Sequence, residues 1–263
     1  MIEGIYKLIF LTLIVHLIDT LAYAVRLNAV RSQQFALSTS LFNVFVLISR
    51  TANTLQGPLI GSMIGISILK NIDPILEMRK VIFASTLGTI LGIIFIPTFL
   101  KVFSKAVDRL ELTGSVPSII VQALSIHNIK HIAKKATLPS KNMLRNLRYK
   151  EIPKRLLIYN TVITGIYTIG VLASFYAATL VPSQYQLSAS ASSGLINGVA
   201  TILLTLFVDP QAAIITDQAL TGKRSTEDVK TLIILLLSTK LMGTLLGQLF
   251  IIPAATFIAY FYS

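Results

Sequence analysis

The sequence predicts an all-α, polytopic membrane protein with about six transmembrane helices, and three observations predict it. Only 13% of the 263 residues are charged and 54% are hydrophobic, with a mean hydropathy of +0.74, whereas soluble domains carry about 25% charged residues. The apolar runs are about 20 residues long, the length a helix needs to cross roughly 30 Å of hydrocarbon, and they lack the alternating pattern of an outer-membrane barrel. The net charge of +12 is also concentrated. Twelve of the 23 Lys and Arg fall between Lys101 and Arg155, against only Asp108, Glu111 and Glu151. That is the distribution of a cytoplasmic loop obeying the positive-inside rule and resting on anionic membrane lipid. With no aromatic-basic module beside the charges, it speaks against nucleic acid.

Span one runs from about Ile5 to Val25. Lys7, the apolar run and Ala22-Tyr23-Ala24 imitate a signal peptide, but His16 and Asp19 inside the run argue for a retained helix. A short basic connection, Arg26 to Gln34, leads to span two, which begins near Phe35 and stays apolar almost to Leu69, too long for one straight crossing. Gly57-Pro58 lies within it, and a proline removes a helix hydrogen bond and kinks or breaks the helix. A full helix to about Gln56 and a half-helix over Leu59 to Leu69 are therefore expected. Span three, Val81 to about Phe103, follows the charged connection Lys70 to Lys80. In the basic loop, Pro117 to Ala136 sets Ile120, Leu124 and Ile132 against Lys130, Lys134 and Lys135, the pattern of an amphipathic helix at the membrane surface or of a plain packing helix. His127 and His131 have the spacing of metal ligands, but no carboxylate or Cys joins them. No metal and no cofactor are expected.

Span four runs from Arg155 to about Leu180, and a charge-free turn near Val181 to Tyr185 leads to span five, Leu187 to Val208. This span too meets a breaker, Asp209-Pro210, before a short apolar piece that ends at Gly222. Span six, Thr231 to about Phe261, carries Lys240 and Pro253. The two halves look alike: GTILGIIFI at Gly88–Ile96 recurs as GTLLGQLFI at Gly243–Ile251. Nearly the same offset brings Ser38, Leu41 and Asn43 onto Ser192, Leu195 and Asn197. The chain accordingly divides into a first repeat (1–103), a basic cytoplasmic loop (104–154) and a second repeat (155–263). Three spans per repeat is an odd number, so the second repeat enters from the opposite side. This gives two inverted three-span repeats with broken helices, an arrangement whose substrate site lies near the midplane; both termini would then lie outside. If both half-helices crossed fully, eight spans and parallel repeats would result.

A charge at the bilayer centre costs at least about 2.5 kcal/mol, so ionic residues there normally face a wet cavity or a partner. His16, Asp19, Tyr23 and Arg26 share one face of span one, and Asn43, Arg50 and Gly57 are heptad-spaced on span two, with Asn53 and Gln56 nearby. Arg50 follows fourteen uncharged residues beginning at Ala36 and should lie well inside; Lys240 sits about ten residues into span six. These two are the leading candidates to grip an anion, with Asn53 and Gln56 beside Arg50. Arg26 and Arg31 either offer guanidinium forks to phosphate or mark the cytoplasmic edge. Asp19 and His16 read as gating or proton-coupling groups, or Asp19 pairs with Arg50 or Arg26 as scaffold. Asp209 and Asp217 bracket the second breaker, Asp209 as a helix cap and Asp217 as a further gating candidate. There is no G-x-x-x-x-G-K-[ST], no G-x-S-x-G and no H-E-x-x-H motif, and there are three histidines and no cysteine. Enzyme chemistry is not expected.

The segments HLIDTLAYAVR (16–26) and ALSTSLFNVFVLISRTAN (36–53) resemble the Amj (YdaH) family of alternative lipid II flippases, and the likeness in length and hydropathy extends over essentially the whole chain. The resemblance implies translocation of undecaprenyl-pyrophosphate-linked peptidoglycan precursor across the bacterial cytoplasmic membrane. It assigns no residue roles, so the candidates above rest on their physical setting. An ordinary secondary transporter for an ion or small anionic metabolite is the alternative, marked by a compact closed site instead of a laterally open groove. A non-transporting adaptor acting through the basic loop is a third reading. A homodimer is compatible with the sequence.

Overall fold

Long apolar runs without strand-like alternation leave the backbone one way to satisfy its own hydrogen bonds in lipid, the α-helix. In the computed structural model the described residues are 2–115, 137–139, 145 and 147–262; they contain helices and no strand. The amphipathic segment Pro117 to Ala136, with His127 and His131, lies outside the described residues. The helices are α1 (Ile2–Ala22), α2 (Val25–Ser32), α3 (Phe35–Leu69), α4 (Ile75–Thr113), α5 (Lys154–Ala177), α6 (Gln186–Ala191), α7 (Ser193–Leu203), α8 (Asp209–Leu220) and α9 (Thr226–Tyr260). They compose six segments long and apolar enough to cross a membrane: Gly4–Ser32, Phe35–Leu69, Ile75–Thr113, Lys154–Ala177, Ser183–Leu220 and Thr226–Tyr260.

Four local expectations change. The chain does not break at Gly57-Pro58: α3 runs unbroken through Pro58, because Gln56 on one side and Ile60, Met63 and Ile64 on the other are all buried against the same bundle. The supposed basic connection after span one is helix α2, whose Val25, Leu27, Asn28, Ala29 and Val30 are buried. Its charges are tolerated because Arg31 is exposed and Arg26 is ion-paired. The third span is far longer than 81–103. At 1.5 Å per residue the 39 residues of α4 extend about 58 Å, well beyond the hydrocarbon. At the second breaker the chain stays helical but changes pitch, as a π-helical turn over Leu204–Val208 delivers Pro210 into the first turn of α8, where its missing N–H costs nothing.

In each half the first and third spans are pressed together through glycine. A Cβ on Gly88 would collide with the Leu13 carbonyl oxygen, and one on Gly92 would lie 2.6 Å from Thr20 Cβ, so α1 and α4 touch backbone to backbone. On the other side a Cβ on Gly243 would lie 2.6 Å from the Thr161 carbonyl oxygen, and Gly247 faces Thr168 and Ile169, which joins α5 to α9. The two similar nonapeptides therefore do the same packing work. Close approach is what such residues supply where lipid gives helices no hydrophobic drive to associate. The second spans are peripheral. Only 17% of the apolar window is buried in Phe35–Leu69 and in Ser183–Leu220, against 44% in Gly4–Ser32 and 56% in Ile75–Thr113.

Besides a smaller cluster of Val25, Leu41, Phe103, Val107 and Leu110, the apolar core has two tiers. One, at the end carrying both termini, gathers Ile5, Leu8, Ile60, Met78, Ile82, Ile169, Ile251 and Ile258. The other, at the end carrying the basic segment, gathers Leu27, Val30, Leu156, Val208, Ile215, Leu232 and Leu236. His16, Asp19 and Lys240 fall between them in the order of α1 and α9.

Candidate functional site

The spacing of three along α1 places His16 and Asp19 on one face, and Tyr23 follows in the turn that joins α1 to α2. Lys240 of α9 is 6% exposed, and its ammonium lies 5.2 Å from the centroid of the Tyr23 ring. Among the described residues it has no carboxylate within 4 Å and no hydrogen-bond acceptor. The charge of Asp19 reaches it, and its own charge reaches His16. A buried ion without a matched partner is costly; a π face returns only about 0.5–2 kcal/mol of that.

The remaining polar groups fix this arrangement. Asp19 accepts a short hydrogen bond from the hydroxyl of Ser49 on α3, itself buried. The Tyr23 hydroxyl donates to Asn160 Oδ1 at 3.3 Å. Asn160, fully buried on α5, donates in turn to the Leu236 carbonyl at 3.0 Å and to Thr239 Oγ1 at 2.8 Å. Four helices thus converge. His16 Nδ1, in the same layer, is likewise buried with no hydrogen-bond partner among the described residues.

Each end of the bundle carries a polar clamp between the two halves. At the basic end Arg26 Nη2 meets Asp209 Oδ1 at 3.0 Å. At the opposite end Arg79 Nη1 donates to the Gln248 carbonyl at 3.0 Å and to its Oε1 at 3.3 Å, and Gln248 Nε2 donates back to the Arg79 carbonyl at 2.9 Å.

The structure sets Lys240 within reach of the charge of Asp19 and near His16, and separates others. Arg50 is exposed, not well inside: depth along a peripheral helix is not depth in the bundle, and α3 turns most of its surface outward. Its charge still reaches Tyr167 of α5, where that of Asp19 also acts. Asn53 is half-buried and Gln56 is buried on the same helix. Asp19 pairs with neither Arg50 nor Arg26 but with Ser49, and Arg26 goes to Asp209. Asp209 is not a side-chain cap, since Val208 holds that position without one. Arg31 and Asp217 are exposed, at the end of α2 and on α8, and no described contact joins either side chain to the central group. Ser49, Asn160 and Thr239 escaped the sequence reading. A lone Asn in an apolar span was the one signal available for Asn160. Among the described residues no three His, Cys, Asp or Glu gather as metal ligands.

All of these groups lie inside residues 11–262, the stretch matched by the family model described as Amj: Alternate to MurJ. The chain belongs to the Amj family. A relative from Bacillus subtilis (strain 168), Lipid II flippase Amj, is 42% identical over 251 residues, which is 94% of this chain and 93% of the relative. No solved structure matches. The Amj match takes in both halves of the chain, and with them both clamps and the polar layer between.

Proposed function

We propose that this protein is a lipid II flippase of the bacterial cytoplasmic membrane, moving undecaprenyl-pyrophosphate-linked peptidoglycan precursor between leaflets by transport and not by covalent chemistry. The 42% identity to a protein named as such supports the substrate. The observation that carries the mechanism is Lys240, a cation buried at mid-bundle with no carboxylate within 4 Å among the described residues, and so available to an anion that arrives.

The isoprenoid tail stays in lipid along the outer face of α3, where Leu47 and Leu55 are exposed. The head group enters sideways past Arg50 and Asn53, with Gln56 deeper on the same helix, until its diphosphate meets Lys240. An exposed cation on a lightly buried span favours this lateral route over a closed site for a small metabolite. The Arg26–Asp209 and Arg79–Gln248 clamps open in turn, one for each leaflet, so that no continuous leak forms. Arg31 and the basic loop hold anionic lipid at the cytoplasmic mouth. After release, Asp19 and the free nitrogen of His16 draw the ammonium back and reset the site.

The test is complementation in cells whose other lipid II flippase can be switched off. Lys240→Met reaches the membrane at wild-type level and fails to rescue growth. Full rescue by that variant would overturn the mechanism.

A further inference from the structure

We infer that Tyr23 is a positioning residue for transport: its ring is the resting partner of the Lys240 ammonium while no diphosphate is bound, and Asn160 holds the ring in place. This rests on the reading of Lys240 as the head-group ligand.

A buried ammonium waiting for an anion faces conflicting demands. It needs a partner to remain charged in the bundle, yet a carboxylate in contact would compete with the diphosphate and repel it. A π face resolves the conflict, because it stabilises a cation without carrying a net charge of its own. The geometry supplies that face at 5.2 Å from Nζ. The acid whose charge reaches it, Asp19, already accepts the Ser49 hydroxyl.

The ring is not loosely placed. Its hydroxyl reaches Asn160 Oδ1, and both amide donations of Asn160 go to α9, to the Leu236 carbonyl and to Thr239 Oγ1. A flipped Asn160 amide would set its oxygen against the Leu236 carbonyl oxygen, so only one orientation satisfies all three bonds. Thr239 adjoins Lys240 in the chain. The anchor of the ring and the amine above it therefore ride on consecutive residues of one helix, which keeps them in register when α1 and α9 move.

The chain contains no tryptophan, so Tyr23→Trp introduces a single indole under the ammonium. With purified full-length protein in nanodiscs and farnesyl diphosphate as the probe, the indole emission of this variant should change saturably as the ammonium leaves the ring, and Lys240→Met in that background should abolish the change. By equilibrium binding of radiolabelled farnesyl diphosphate, Tyr23→Phe should stay within about threefold of wild type and Tyr23→Leu, which loses a contact made only in the unbound state, should bind up to about tenfold more tightly. Wild-type affinity in Tyr23→Leu, or indole emission indifferent to saturating probe, overturns the inference while leaving Lys240 in its role. Wild-type affinity in Lys240→Met overturns the head-group reading itself. Should Tyr23→Leu fail to fold, judged by gel filtration, the fluorescence response of Tyr23→Trp decides alone.

Discussion

The Arg26–Asp209 pair offers the sharpest test of the two-clamp mechanism. Its atoms are 3.0 Å apart, but the side chains are 26% and 47% exposed. Water therefore screens much of an attraction that Coulomb's law at an effective dielectric of about 20 would put near 5 kcal/mol. Exposed pairs contribute about 0–1 kcal/mol; the more buried arginine argues for the upper end. Losing about 1 kcal/mol from the state closed at the basic end shifts its population about fivefold toward the open one. The chain has no cysteine, so Leu27→Cys, at a site 5% exposed beside the pair, reports opening through its rate of maleimide labelling. Asp209→Asn and Arg26→Gln should each raise that rate about fivefold. The double variant should again show a rise of about fivefold over wild type, not about 25-fold, because one clamp can be lost only once. Unchanged rates, or singles that multiply in the double, would refute the clamp.

The opposite clamp predicts a mirror result: Gln248→Ala, which removes the donors and acceptor facing Arg79, should speed labelling of a cysteine placed at Met78 and leave Leu27→Cys unaffected. For the helix contacts, Gly88→Val forces a side chain onto the Leu13 carbonyl and should cost about 1–3 kcal/mol. Gly65→Ala, with nothing within 4 Å, should stay within about 0.5 kcal/mol. Thermal unfolding in detergent compares the two.

Much of the architecture was legible because lipid leaves few options. Run length marked the spans, and the i, i+3 spacing put His16 and Asp19 on one face of α1, while Tyr23, expected on the same stripe, lies in the turn after Ala22. What could not be read was how far each helix stands from the bundle axis. Arg50 looked deep because fourteen uncharged residues precede it, yet α3 is peripheral and the side chain is exposed. Pro58 looked like a breaker because its local cost is known, while the burial on both sides that holds the helix together is a tertiary fact. Partners were the least legible of all: Arg26 and Asp209 are 183 positions apart, and nothing in either neighbourhood names the other.

The balance of charge in the bundle follows from these pairings and bears on how a highly anionic head group can pass without being trapped. Around the central layer and the clamp at the basic end, Lys240, Arg26 and the exposed Arg50 stand against Asp19 and Asp209, three cations to two carboxylates. Both acids are held gently, one by a hydroxyl and the other by an arginine in partial contact with water. Strong pairing of every charge would make the site inert, since an incoming diphosphate would have to break a buried ion pair before gaining anything. Three unmatched cations would do the reverse and hold the head group too tightly to release it. A small positive excess, with acids able to reclaim the cations, keeps both entry and exit within reach of thermal motion. Adding a carboxylate at the Lys240 site should therefore impair transport as surely as removing the lysine does.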